Sequence, residues 1–191
     1  MVQKWCSIFF AMLLITAVSS LAGNAEGADY VGVKKCKACH IKQYKSWKKT
    51  TMANSYENLK AGIKAEEKKK AGLDPEKDYT ADAGCLKCHT TGYGKPGGFT
   101  TFEETPKLAN VQCESCHGPG ADFRKVMKNK KFPLSEATAA GLIIPTASTN
   151  NCLDCHNSDS PFNEKVDAKY KFNIEERLKK THEHFPLKYE H

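Results

Sequence analysis

The longest apolar run lies at the extreme N-terminus, where Lys4 precedes an almost unbroken hydrophobic stretch from Trp5 to Val18, followed by small residues down to Ala25. A short basic head, an apolar segment and a small-residue end predict a secretory signal peptide over residues 1–25, cleaved after Ala25. A membrane anchor would need about 20 consecutive apolar residues and a basic flank, whereas Ser19 and Ser20 interrupt this stretch, so no membrane anchor is expected. A lipid-anchored form would need Cys where Asn24 stands.

In the remaining domain, residues 26–191, apolar positions are sparse. The strongest helical signal runs over residues 41–71, rich in Ala, Lys, Glu and Leu, with Gly72 placed to end it. Lys68, Lys69 and Lys70 fall near that end, where cations complement the helix dipole; they read as a solvated face, with a docking patch as the alternative. Gly and Pro mark turns between Thr90 and Gly98, and Phe99 to Phe102 reads as a short strand. A second basic helix is expected between His117 and Asn151, with Phe123 and Met127 four residues apart, while residues 133–150 read as loop. A third helix is predicted from Asn173 to His184. The fold class is therefore mainly α, with little strand.

Composition changes this picture at one residue type. Of nine cysteines, Cys6 leaves with the signal peptide, and the other eight fall only in pairs, each followed by His: Cys36, Cys39, His40; Cys85, Cys88, His89; Cys113, Cys116, His117; Cys152, Cys155, His156. Eight cysteines in an exported chain could mean four disulfides, and paired Cys-x-x-Cys could mean zinc. Neither requires a His after every second thiol. Two thiols three residues apart reach the two vinyl groups of one porphyrin, and the adjacent imidazole then lies beneath the iron, so four covalently bound haems c are expected. At about 41 residues per haem the chain cannot wrap each cofactor in its own apolar core. The haems are expected to form the core of a small multihaem cytochrome c fold.

The formal charge of +7, or +6 after loss of Lys4, must be read with the cofactors. Eight propionates against four ferric centres bring the total to about +2 oxidised and about −2 reduced. The basic residues are spread along the chain without a nucleic-acid motif, so no nucleic acid is expected as partner.

The sixth iron position decides whether a haem only relays electrons or also binds small molecules. After four proximal histidines, only His182, His184 and His191 remain, with Met52 and Met127 as the methionines of the mature chain. His182 follows Ile174 and Leu178 at intervals of four, which favours it as the inward ligand. Met52 and Met127 could be ligands or core filler, a choice that composition leaves open.

The stretches CKACHIKQYKSWKKTTMANSYENLK from Cys36, LDPEKDYT from Leu73, CLKCHTTGYG, VQCESCHGPG, VDAKYKF and THEHF resemble the tetrahaem cytochrome c-554 family over most of the mature chain. The resemblance implies an exported, largely helical electron-transfer protein with closely packed haems; members in ammonia oxidisers accept electrons from hydroxylamine oxidoreductase. It also implies three distal histidines and a five-coordinate haem on the second motif. Those distal positions fall here on Met52, Met127 and His182. The two departures bring in the other common neutral ligand, so His/Met coordination with raised potentials is expected, against the rival of lost ligation. Phe162 matches an aromatic residue that covers the open face of the second haem, the alternative being plain core packing.

The reading is a periplasmic, monomeric carrier that passes electrons from a donor oxidoreductase to an acceptor cytochrome or quinone-linked enzyme. It is expected to be no enzyme itself. The alternatives are a reductase or binder of nitric oxide or a similar molecule at an open iron, and an extracellular filament subunit.

Overall fold

In the computed structural model the described residues are 28–129, 131–146, 148 and 150–183. The expected signal peptide and its cleavage point lie outside them, as do His184 and His191. The chain builds short helices: α1 Val33–Lys37, α2 Ile41–Trp47, α3 Ala65–Lys70, α4 Ala83–His89, α5 Cys113–His117, α6 Phe123–Val126, α7 Leu134–Ala139 and α8 Ile174–Lys180. Single 3₁₀ turns cover Thr51–Asn54, Glu57–Leu59, Pro106–Leu108, Asn150–Cys152 and Ala168–Tyr170. Among the described residues the extended pairing is an isolated bridge between Thr90 and Ala109, so the fold is mainly α. No helix among them is long and apolar enough to cross a membrane.

The helical signal over 41–71 is realised in pieces. The Thr50 hydroxyl donates to the Trp47 carbonyl at 2.7 Å and the Ser55 hydroxyl to that of Met52 at 3.1 Å, local bonds that compete with a continuous ladder. Gly62, at φ 71°, breaks the remainder before α3. Gly72 does end α3: at φ 72° its N–H reaches the Lys69 carbonyl while Leu73 N–H reaches Lys68, a left-handed cap that a side chain would strain. Lys68 departs from the solvated reading, for it is 3% exposed while Lys69 and Lys70 face water.

The strand expected at Phe99–Phe102 is absent. Phe99 is buried, but Thr105 N–H bonds back to Thr101 and the Thr105 hydroxyl takes the Thr100 N–H, so the chain curls instead of extending. Residues 133–150, read as loop, contain α7, whose Ala137 is fully buried. The helix around Phe123 is a single turn that ends before Met127. α8 is shorter than expected. Asn173 caps it by accepting the Glu176 N–H at 3.1 Å, Glu175 and Glu176 occupy the first turn, and the helix stops at Lys180. His182 therefore lies in the turn beyond α8, off the helical ladder, and Glu183 N–H ties that turn to the Ser46 hydroxyl on α2 at 2.8 Å.

Among the described residues an apolar cluster is formed by Tyr56, Leu59, Tyr79, Leu86, Phe99, Leu108 and Ala109. It sits against α4. Outside it, Trp47 on α2, Phe123 on α6 and Ala137 on α7 are buried, and polar side chains that bond backbone tie further elements together. Gln112 donates to the Lys107 and Ala109 carbonyls and accepts from Val33 N–H at 2.6 Å, which fixes α1 beside α5.

Candidate functional site

Each Cys-x-x-Cys-His segment is one helical turn. The second motif lies within α4 and the third is α5 itself. In the first and fourth, His40 N–H bonds the Cys36 carbonyl and His156 N–H bonds that of Cys152, both at 3.0 Å, closing the same turn. Positions i, i+3 and i+4 share a helix face, so both sulfurs and the imidazole point one way. Asp82 starts α4 by accepting Gly84 N–H, while Gly118 ends α5 at φ 82°, where a Cβ would meet the Gly141 carbonyl at 2.6 Å.

Folding then sets the motifs in an order the chain does not follow. α1 packs on α5, which sets Cys36 beside Cys113, a neighbour that pulls Cys113 down and Cys36 up. α5 packs on the Asn150–Cys152 turn, where Asn151 Nδ2 donates to the Cys116 carbonyl at 2.9 Å. The Cys155 thiol donates to the Lys87 carbonyl at 3.8 Å, and its closeness to Cys88 lowers Cys88 to about 7. Burial pushes Cys85 and Cys116 up to about 11. These contacts link the motifs in the series first, third, fourth, second, and the Thr91 hydroxyl, 3.1 Å from that of Ser115, also sets the end of the second motif beside the third. None of the eight cysteines is in a disulfide. Among the described residues no three His, Cys, Asp or Glu converge as a group that could hold a metal ion.

The imidazoles are prepared as ligands. His89 Nδ1 donates to the Ser55 carbonyl at 2.6 Å, and His117 Nδ1 to that of Ile143 at 3.0 Å, which leaves Nε2 as the lone pair. Ile143 N–H returns a bond to the His117 carbonyl, clamping α5 from the segment read as loop. Burial holds His40, His89 and His156 below the usual imidazole range, so each is neutral as an iron ligand must be. His182 also anchors Nδ1, on the Glu183 carbonyl at 3.1 Å. Its ring centre lies 6.4 Å from that of His117 at 32°. Two imidazoles at that spacing could hold one metal ion between them. Arg124 supplies a further fit: its Nε is buried without a hydrogen-bond partner near Cys36, a donor suited to an anion such as a propionate.

Met52, in the Thr51–Asn54 turn, and Met127, the C-cap of α6, are both half-buried. Phe162 stands edge-on to Tyr170 at 5.5 Å and, with His156 and Phe172, lines a cavity of about 310 Å³. Phe172 stacks on the His156 ring at 4.2 Å. Sequence reasoning missed the Ser55 and Ile143 carbonyls, for backbone acceptors leave no mark in residue identity. It also missed Glu114 and Lys68, whose burial depends on packing.

Thiol pairs, oriented imidazoles and helical turns define a c-type cytochrome, a haem protein of electron transfer. The family model for cytochrome c554 and c-prime matches residues 35–118. Cytochrome c-554 of Nitrosomonas europaea is 38% identical over 201 aligned residues, covering 93% of this chain and 83% of that protein. The chain belongs to the cytochrome c554 family. The solved structure of reduced cytochrome c554 from Nitrosomonas europaea superimposes with a TM-score of 0.77 at 38% identity, covering 85% of this chain and 88% of that one.

Proposed function

We propose that the chain is a periplasmic tetrahaem electron carrier, monomeric and released from a signal peptide at residues 1–25. One haem c is attached at each of Cys36/Cys39, Cys85/Cys88, Cys113/Cys116 and Cys152/Cys155. When bound, each iron supplies reversible one-electron chemistry. His40, His89, His117 and His156 are the proximal ligands; Met52, Met127 and His182 are the distal ones. His182 serves the pair formed by the first and third motifs, which its ring contact with His117 supports. The second iron keeps His89 as its one protein ligand, with Phe162 over its open face.

The observation that carries this reading is the unbroken contact series first, third, fourth, second. A series of neighbouring attachment turns is what a relay needs, since electrons enter at one end and leave at the other. The small apolar core supports it as well, because a chain of this size relies on cofactors for part of its packing. The donor is a redox enzyme, as hydroxylamine oxidoreductase is for family members in ammonia oxidisers, and the acceptor is a cytochrome or quinone-linked enzyme.

Intact-mass measurement with a pyridine haemochrome assay on protein matured in a competent host is the test. Four haems per chain are expected, together with a mature N-terminus at Glu26; fewer than four would overturn the reading.

A further inference from the structure

Among the described residues two charged side chains are buried, one of each sign. Glu114, 2% exposed within α5, accepts Val31 N–H at 2.9 Å, Gly32 N–H at 2.7 Å and Gly120 N–H at 2.7 Å. Three donors and no acceptor suit the carboxylate form. Lys68, 3% exposed, donates to the Lys60 carbonyl at 2.6 Å and sits 5.3 Å over the Tyr79 ring. Tyr79 packs in the cluster with Leu86 and Cys85 of α4. The carboxylate thus lies at the first and third motifs, where its charge reaches Cys36 and Cys113, and the ammonium lies by the second, where its charge reaches His89.

We propose that Glu114 and Lys68 set a gradient of reduction potential along the series of motifs, directing electrons from the first and third towards the second. A buried carboxylate favours the ferric state and lowers the potential beside it; a buried ammonium does the reverse. One electron leaves a ferrous iron at the low end and reduces a ferric iron at the high end, with no atom or proton moving. Arg124 opposes Glu114 at Cys36. Asp78 opposes Lys68 from the surface, where solvent screens it.

The inference rests on the four-haem reading, so the test uses matured protein whose four haems have been counted by mass. Redox titration followed by paramagnetic NMR of the haem methyl groups resolves the individual midpoints. Lys68→Met lowers the midpoint of the haem nearest Tyr79, changing its electron occupancy relative to the others on the order of tenfold, equivalent to about 59 mV for one electron. Lys68→Arg restores it. Glu114→Gln raises a different haem, the one nearest Ile143. Unchanged midpoints, shifts of one sign in both variants, or Lys68→Arg behaving as Lys68→Met would each overturn the proposal. If Glu114→Gln does not accumulate, the two Lys68 variants decide.

Discussion

At the scale of single residues the chain is specified by small numbers of atoms in fixed places. His89 and His117 differ from surface histidines because a carbonyl takes their Nδ1 proton, which presents Nε2 to a metal. His182 is prepared in the same way by its neighbour's carbonyl. Replacing His182 with Ala is expected to convert one low-spin haem to a high-spin form that binds carbon monoxide; electron paramagnetic resonance of the oxidised protein reads the change, and a spectrum identical to wild type would remove His182 from the ligand set. Met127→His is expected to lower one midpoint potential, since imidazole favours ferric iron more than a thioether does. A variant with unchanged potentials and reduced stability would identify Met127 as packing instead.

At the scale of elements, helices of seven residues or fewer are too short to hold themselves together. Caps and a few buried side chains therefore carry much of their local order. Asn173→Ala removes the side-chain bond that starts α8 and is expected to cost about 1 kcal/mol; hydrogen exchange should show α8 opening more often while α4 is unaffected. Leu108, fully buried where the turn Pro106–Leu108 meets the apolar cluster, is expected to cost about 2–5 kcal/mol on change to Ala. A denaturant midpoint at constant haem content checks it. In Gly118→Ala the added Cβ meets the Gly141 carbonyl in a backbone conformation that only glycine adopts freely. The clamp between His117 and Ile143 should loosen, seen as loss of low-spin signal.

At the scale of the molecule, charge is distributed unevenly along the series of motifs. Between Asp29 and Glu57 there are seven lysines, at 34, 35, 37, 42, 45, 48 and 49, all exposed and with no acidic residue among them, around the first motif. Before the second motif stand Asp74, Glu76, Asp78 and Asp82 with Lys77. Oxidation of the reduced protein by anionic ferricyanide should slow as salt rises, because a Debye length of about 10 Å at 0.1 M screens the lysine face. Changing Lys45, Lys48 and Lys49 to Glu should reduce the rate at low salt, while reaction with cationic hexaammineruthenium should not slow. Stopped-flow traces compare the two.

What residue identity alone determined was the chemistry: Cys-x-x-Cys-His carries its geometry within one helical turn, so the anchors and proximal imidazoles at 36–40, 85–89, 113–117 and 152–156 were legible without a fold. The mainly helical class and the end of α3 at Gly72 were legible too, since helix propensity and a left-handed cap are local properties. Other features were decided only by tertiary structure. The break-up of residues 41–71, the helix at 134–139, the curl at Phe99 and the place of His182 beyond α8 all depend on bonds to distant or backbone groups that propensity does not encode. The spatial order of the motifs, the Ser55 and Ile143 carbonyls, and the burial of Glu114 and Lys68 belong to the same class, because each arises where segments far apart in the chain exclude water from one another.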